Sequence, residues 1–158
     1  MSSRRVTPPE APTLHVAEPA GAYHRRPTVV VDASVMASAL FGEERHALAV
    51  TMLQIRALAA PHLLDCEMAN IALKKVRRDR QPADKVATAL QLYAELDIAR
   101  HAVDTTAVTA LADRYALSAY DAAYLWLAEA LRAPLATFDD KLAQAARRHL
   151  SEPPRDDA

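Results

Sequence analysis

The stretch that decides the fold is VVVDASVMASAL, residues 29–40, in which an acid ends a run of β-branched residues and a helical pattern follows. Such a run predicts a strand over 28–32, and the pattern after it predicts a helix. Asp32 therefore stands at a strand-to-helix junction. A carboxylate at that place is either a local helix cap or part of a site assembled with acids from elsewhere in the chain.

Helical patterns and short apolar runs follow one another along the rest of the chain. We expect strands at 28–32, 98–103 and 134–137, an extended segment APHLL at 60–64, and helices at 34–41, 44–59, 65–79, 82–95, 105–115, 118–132 and 139–150. Strands separated by helices imply a parallel sheet with helices on its faces. The predicted fold class is α/β, a three-layer α/β/α domain with a short central parallel sheet.

Composition limits the number of domains and the class of protein. The 158 residues suit one domain over 28–150, with a proline-rich leader at 1–27 and a flexible tail at 151–158. A chain that is 51% hydrophobic with a net charge of -1 is not a generally basic nucleic-acid wrapper, so any contact with nucleic acid must be a local patch. The single cysteine, Cys66, excludes a cysteine-rich zinc site and is expected to be buried. No segment reaches membrane-spanning length, and we expect a soluble, cytoplasmic protein.

Three acids follow predicted strands. Asp32 ends the first strand, Asp139 follows the strand at 134–137, and Glu67 lies in the first turn of the helix after APHLL. The carboxyl ends of parallel strands share one edge of a sheet, so these three side chains are expected together. Asp121 opens the second of two consecutive helices, and strand direction does not place it.

Each acid also has a structural explanation, because acids are favoured at helix N-termini. Ser118 and Asp121 have the spacing of a capping box. Asp65 and Ser34 are candidate caps of the helices in which they lie, and Asp139 is a candidate cap of the last helix. Taken one at a time, capping is the better explanation, and only the combination of acids points to a site.

The combination has a chemical consequence. Carboxylates gathered in a partly desolvated cleft repel one another, and a cation relieves that repulsion. Hard oxygen ligands, with no thiolate and no paired histidine, select Mg²⁺ or Mn²⁺ over zinc. Such an ion binds a phosphate oxygen and lowers the pKa of a bound water. The chemistry suggested is metal-dependent hydrolysis of nucleic acid.

Four blocks occur in order: VVVDAS at 29–34, LLDCEMANIAL at 63–73, LSAYDAAYLWLAE at 117–129 and LATFDDKLAQAA at 135–146. In these blocks the sequence resembles the PIN-domain ribonucleases, most closely the VapC-type toxins of type II toxin–antitoxin systems. The resemblance covers about residues 28–148. It implies a PIN-like fold and a Mg²⁺- or Mn²⁺-dependent endoribonuclease that hydrolyses RNA phosphodiester bonds.

The resemblance implies a catalytic and metal-binding set of Asp32, Glu67, Asp121 and Asp139, and it implies that the helix of Asp121 points its start into the same pocket. In the roles we assign, Asp32, Asp121 and Asp139 hold metal directly or through water. Glu67 either completes the metal shell or positions the attacking water.

Other residues match supporting positions of the family. Ser34 and Thr137 match hydroxyls that orient a neighbouring carboxylate, although capping explains Ser34 equally well. Asn70, one turn beyond the helix acid, either reaches the same cleft or is an ordinary surface amide. The T-x-D spacing favours Asp139 over Asp140 as the metal ligand.

The helix at 65–79 ends in the basic run KKVRRDR, and helical spacing places Lys74 and Arg78 on the face of Glu67. These two residues are candidate contacts to the RNA backbone. The alternative is that they complement the helix dipole and remain in water.

Apolar surface suggests further partners. Tyr120, Tyr124 and Trp126 fit base stacking or packing, and their apolar spacing favours packing for most of them. The helices at 44–59 and 82–95 carry more aliphatic surface than one sheet face needs. The resemblance implies a homodimer and a VapB-type antitoxin that packs over these helices and blocks the acidic pocket, whereas plain intramolecular core is the alternative.

Two other functions fit the same residues. One is a PIN nuclease that acts in RNA maturation or decay without an antitoxin. The other is a catalytically silent PIN-like module that only binds a partner, and the intact set of acids argues against it.

Overall fold

The computed structural model describes residues 27–151. The predicted leader and tail lie outside this range except for Pro27 and Ser151. The elements in chain order are β1 (Thr28–Val31), α1 (Ala33–Phe41), α2 (His46–Ile55), β2 (Ala57–Pro61), α3 (Leu63–Arg77), α4 (Ala83–Glu95), β3 (Ile98–His101), α5 (Thr105–Tyr115), α6 (Ala119–Ala130), β4 (Leu135–Ala136) and α7 (Asp140–Leu150).

The sheet within residues 27–151 has four strands in the order β3-β2-β1-β4, and every pairing is parallel. In the centre of the sheet, Val30 of β1 lies opposite Ala59 of β2 on one side and Leu135 of β4 on the other. The α/β class with helical layers around a central parallel sheet is confirmed.

The core explains why β1 is so apolar. Val29, Val30 and Val31 are at most 2% exposed, because β1 is a central strand with partners on both edges. Helix α6 packs against β1 and β2 and buries Ala122 and Leu125 completely. A strand covered on both faces needs a continuous apolar run, which is what the sequence has at this point.

The predicted end of one helix was wrong. The helix expected at 44–59 ends at Ile55, and β2 occupies Ala57–Pro61, so the extended segment lies a few residues earlier than APHLL. Leu58 and Ala59 are good helix formers, and no glycine or proline separates α2 from β2. Pairing with β1 and β3 on both sides fixes this strand, which shows tertiary context overriding local propensity.

Three local expectations on α3 were also wrong. The helix begins at Leu63, which places Glu67 in its second turn instead of its first. Asp65 lies inside the helix and does not cap it, because the N-cap position belongs to His62. Cys66 is exposed and is not a core residue.

The carboxyl ends of the strands meet at one edge. The backbone N–H of Asp32, after β1, donates to the carbonyl oxygen of Ala136 in β4 at 3.2 Å. The N–H of His62, after β2, donates to the carbonyl oxygen of His101 in β3 at 3.1 Å. The segments that leave all four strands therefore start side by side. None of the helices between residues 27 and 151 is both long and apolar enough to cross a membrane.

Candidate active site

Asp32 is a buried carboxylate, 6% exposed, with both oxygens held. Its Oδ1 accepts hydrogen bonds from the Ser34 hydroxyl at 2.6 Å and from the backbone N–H groups of Ser34 and Val35. Its Oδ2 accepts a bond from the Thr137 hydroxyl at 2.6 Å. Burial raises the pKa of Asp32, while these hydrogen bonds oppose the rise.

Capping and site geometry coincide at this residue. Asp32 is itself the N-cap of α1, so the interpretation of Ser34 as the helix cap was wrong. The Ser34 hydroxyl instead donates to Asp32 and accepts from the backbone N–H of Phe138 at 2.9 Å. Ser34 therefore joins the end of β1 to the turn after β4.

Thr137 makes the second connection between these two segments. Its hydroxyl donates to Asp32 and accepts from the backbone N–H of Asp139 at 2.9 Å. Asp139 is the N-cap of α7, and its Oδ1 accepts from the N–H of Leu142 at 2.7 Å. Asp139 is thus linked to Asp32 through one hydroxyl. Asp139 and Asp140 are both exposed, and Asp140 is the first residue of α7.

Glu67 is held from a different element. The hydroxyl of Tyr124, in α6, donates to Glu67 Oε2 at 2.5 Å, and Tyr124 is only 1% exposed. Burial raises the pKa of Glu67, and the charges of Asp32 and Asp121 raise it further, while the bond from Tyr124 opposes the rise. Asp32 and Asp121 are therefore both close enough for their charges to act on Glu67.

Asp121 is the third residue of α6 and is tied to the start of its helix. Its backbone N–H donates to the Ser118 hydroxyl at 3.1 Å, and that hydroxyl donates to Asp121 Oδ2 at 2.6 Å. The predicted capping pair exists, although the acid binds the hydroxyl of the cap and not its backbone N–H. Helix α6 packs on β1 and β2, and the charge of Asp121 acts on Glu67, a proximity that chain order did not reveal.

The remaining predicted residues lie along α3. Asn70 is exposed one turn beyond Glu67, and Lys74 and Arg78 are exposed at the end of the helix. Lys75, between them, forms an ion pair with Glu43 at 2.7 Å.

Sequence reasoning did not assign Tyr124 to the site. It offered base stacking or packing for the three aromatic residues of α6 and favoured packing for most of them, and the burial of Tyr124 agrees with packing. The hydroxyl adds a polar contact to Glu67. The available signal was its spacing of three residues from Asp121, which places both on one face of α6.

The carboxylates suit a cation in chemistry, although they do not form a ready-made cage. Within residues 27–151, no group of three or more histidine, cysteine, aspartate or glutamate side chains lies close enough together to hold a metal ion. The candidate ligands, Asp32 and the acids whose charges act on Glu67, carry carboxylate oxygens, which suit a hard divalent cation. The mutual repulsion between Glu67 and its acidic neighbours would be relieved by positive charge.

Comparison with known families gives the class. The PIN-domain family model matches residues 29–148, which include the four acids and every strand residue except Thr28. This parallel α/β domain is thus a PIN domain.

Curated relatives narrow the class. The chain is 36% identical over 121 residues to Ribonuclease VapC9 of Mycobacterium tuberculosis (strain CDC 1551 / Oshkosh), a match that covers 75% of this chain and 91% of that protein. VapC ribonuclease Mb0985 of Mycobacterium bovis matches equally well. Ribonuclease VapC1 of M. tuberculosis is 32% identical over 118 residues, covering 73% of this chain and 89% of that protein. The chain belongs to the VapC ribonucleases of the PIN-domain family.

Solved structures share the fold. PAE2754 from Pyrobaculum aerophilum superposes with a TM-score of 0.61 at 21% identity, covering 82% of this chain and 92% of that one. M. tuberculosis VapC20, described as a sarcin-ricin loop cleaving toxin, superposes with a TM-score of 0.55 at 14% identity, covering 74% and 94%. At these identities the likeness is one of fold alone. PIN-domain VapC ribonucleases are metal-dependent in general.

Proposed function

We propose that this protein is a Mg²⁺- or Mn²⁺-dependent endoribonuclease toxin that hydrolyses RNA phosphodiester bonds. The observation that carries the proposal is the state of Asp32, a buried carboxylate with both oxygens fixed by hydroxyls, whose charge reaches Glu67. Burial of an acid next to other acids costs stability, and it is typical of sites built for chemistry. The ribonuclease names of the curated relatives support RNA as the substrate.

The proposed site divides its work among the four acids. Asp32, Asp121 and Asp139 are the residues that would hold the metal, directly or through water, and Glu67 either completes the shell or positions the attacking water. The divalent ion, when bound, supplies a Lewis acid for a phosphate oxygen and lowers the pKa of a bound water. Asn70 is the further candidate to line the cleft.

The neighbours of the acids provide orientation. Ser34 and Thr137 fix the two oxygens of Asp32, so its lone pairs point in set directions before any substrate arrives. Tyr124 engages Glu67 Oε2 and leaves Oε1 as the oxygen that can accept a proton from water. The raised pKa of Glu67 suits proton acceptance, because a stronger base takes the proton of a water more readily.

The proposed partners are RNA, a VapB-type antitoxin and a second copy of the chain. Lys74 and Arg78 are candidate contacts to the RNA backbone. Exposed aliphatic side chains support an interface on α2 and α4, where Leu48 is 60%, Ile55 56% and Leu92 50% exposed. We place this activity in the cytoplasm, where its RNA substrates are found.

The direct test compares Asp32→Asn with Asp140→Asn. Asp32→Asn removes one charge from the buried acid, and we expect cleavage of purified cellular RNA to fall at least about a hundredfold, because loss of even an outer metal contact costs up to that much. Asp140→Asn removes a charge from the exposed acid that follows Asp139 in the chain, and this variant is expected to retain activity. Growth arrest on expression should follow the same order.

Equal toxicity of Asp32→Asn and the unaltered protein would reject metal-assisted cleavage as its cause. Mapping the RNA ends produced after induction then identifies the target. Co-expression with a small DNA-binding protein encoded next to this chain is expected to restore growth if the protein is a toxin with an antitoxin. RNA cleavage without such a neutralising partner would favour the RNA-processing alternative.

A further inference from the structure

Arg45 lies against the turn that carries two of the site residues. It is the exposed residue at the N-cap position of α2, and its Cζ atom is 5.0 Å from the centre of the Phe138 ring. Phe138 stands between Thr137 and Asp139 in the chain, and its backbone N–H donates to the Ser34 hydroxyl that holds Asp32. One aromatic side chain therefore separates a guanidinium group from the backbone of the acidic site.

The charge of Arg45 is available for a ligand. Within residues 27–151, no aspartate or glutamate forms an ion pair with Arg45. Lys75 is different, because it is held by Glu43 at 2.7 Å and by Asp79 at 3.3 Å. Arg45 is thus exposed, without an acidic partner among these residues, and its guanidinium carbon lies over an aromatic ring.

A phosphate substrate needs such a group at this place. The carboxylates of Asp32 and Asp121 each repel that of Glu67, and negative charge of this kind also repels the RNA phosphates that must approach it. A cation at the rim offsets that repulsion for the part of the RNA outside the cleft. Arginine suits this role because its planar fork binds a phosphate through two parallel hydrogen bonds.

We propose that Arg45, seated on Phe138, binds an RNA phosphate at the rim of the acidic cleft and contributes to substrate affinity. This inference rests on the proposed ribonuclease function. Stacking on the ring restricts the guanidinium without using its N–H donors, so less freedom is lost when a phosphate binds.

Position distinguishes Arg45 from the basic end of α3. Lys74 and Arg78 follow Glu67 by seven and eleven residues, which places them roughly 10 and 16 Å along the helix axis. Arg45 instead contacts the residue between Thr137 and Asp139. We therefore expect Arg45 to act on phosphates nearer to the acids than those within reach of Lys74 and Arg78.

The test separates RNA binding from RNA cleavage. A fluorescein-labelled single-stranded RNA is titrated with Asp32→Asn protein, which is expected not to cut it, and fluorescence anisotropy gives the Kd over a series of salt concentrations. Adding Arg45→Ala is expected to raise the Kd about fivefold or more and to reduce the slope of log affinity against log salt by about 0.7. Arg45→Lys is expected to keep the salt slope while still weakening binding, because it retains the charge and loses the fork.

Arg148→Ala is the matched control. Arg148 also lies over an aromatic ring, with its Cζ 5.9 Å from the Tyr115 ring centre, but it is near the far end of α7 from Asp139. We expect no change in Kd for this variant. If Arg148→Ala lowers RNA affinity as much as Arg45→Ala does, the proposal is overturned, because the loss of affinity would then follow from the loss of one positive charge anywhere on the protein.

Kinetics on the active protein complete the test. Arg45→Ala is expected to raise KM with kcat unchanged, at an unchanged melting temperature. An unchanged Kd and salt slope in Arg45→Ala would overturn the proposal even if the protein proves to be a ribonuclease. Absence of cleavage by the unaltered protein would instead count against the proposed function, and the binding titration would still decide the role of Arg45.

Discussion

Two acids of α3, only two residues apart, titrate in opposite directions. The bidentate bond from Arg100 lowers the pKa of Asp65, and Tyr93 adds a further hydrogen bond. Burial raises the pKa of Glu67, with two acidic neighbours adding to the rise. Asp65 is held by partners that stabilise its charge, whereas Glu67 is placed where its charge is disfavoured. This contrast separates a structural acid from a candidate catalytic one.

The sign of each shift predicts how stability changes with pH. The pKa of Glu67 is raised on folding, so its contribution to stability is present below its ordinary value and is lost as pH rises through its folded pKa. Glu67→Gln removes this loss of stability, because glutamine does not ionise. We expect it to raise the melting temperature at neutral pH in buffer with EDTA, and to make no difference below about pH 4, near the ordinary glutamate pKa.

Asp65→Asn is the control for this prediction. The pKa of Asp65 is lowered on folding, so its contribution is present at neutral pH and is lost as pH falls through the folded pKa. We expect Asp65→Asn to lower stability at neutral pH by roughly 0.5–1 kcal/mol, the range for a partly exposed pair. Thermal melts between acidic and neutral pH measure both variants. A Glu67→Gln protein that melts at a lower temperature than the unaltered chain at neutral pH would contradict the conclusion that the charge of Glu67 is disfavoured in the folded state.

At the scale of elements, sequence pattern predicted what depends on neighbours along the chain. The acid after β1 and the helices α5 and α6 follow from local periodicity. The start of β2 does not follow from local periodicity, because only Arg56 separates α2 from β2 and no glycine or proline marks the change. The position of Asp121 does not follow from local periodicity either, since it depends on the packing of α6 against the sheet and on the hydrogen bond from Tyr124 to Glu67.

The turn between α5 and α6 contains a residue in an unfavourable conformation. Ala116 caps α5 with φ 51°, in the left-handed region that glycine adopts without steric cost. We predict that Ala116→Gly stabilises the protein by roughly 1 kcal/mol, because the Cβ clash is removed. Chemical denaturation measures the change in the free energy of unfolding.

The matched control for this prediction is Ala110→Gly. Ala110 is exposed inside α5, where glycine costs about 1 kcal/mol relative to alanine. The same substitution is therefore expected to have opposite signs six residues apart. A loss of stability at both positions would show that the left-handed turn is not strained in solution.

At the scale of the molecule, the candidate site is assembled from separate parts of the chain that meet at one sheet edge. Asp32 and Asp139 come from the two strands joined through Ser34 and Thr137, and both were predicted from strand direction alone. Glu67 arrives on α3 and is held by Tyr124 from α6. No local pattern encodes this last contact, because it joins residues 57 positions apart in the chain. Sequence supplied the acids, and tertiary packing supplied the groups that orient them.

A site of this kind stores unfavourable charge in the folded state, and that predicts a response to divalent cations. An ion that binds the folded protein and not the unfolded chain stabilises it, by about 2.7 kcal/mol at a concentration one hundred times its Kd. We expect Mg²⁺ or Mn²⁺ to raise the melting temperature of the unaltered protein relative to KCl of the same ionic strength, and EDTA to reverse the gain. Asp140→Asn should respond as the unaltered protein does, whereas Asp32→Asn should respond much less. An equal gain in Asp32→Asn would place any bound cation elsewhere and would remove the electrostatic basis for a metal at this sheet edge.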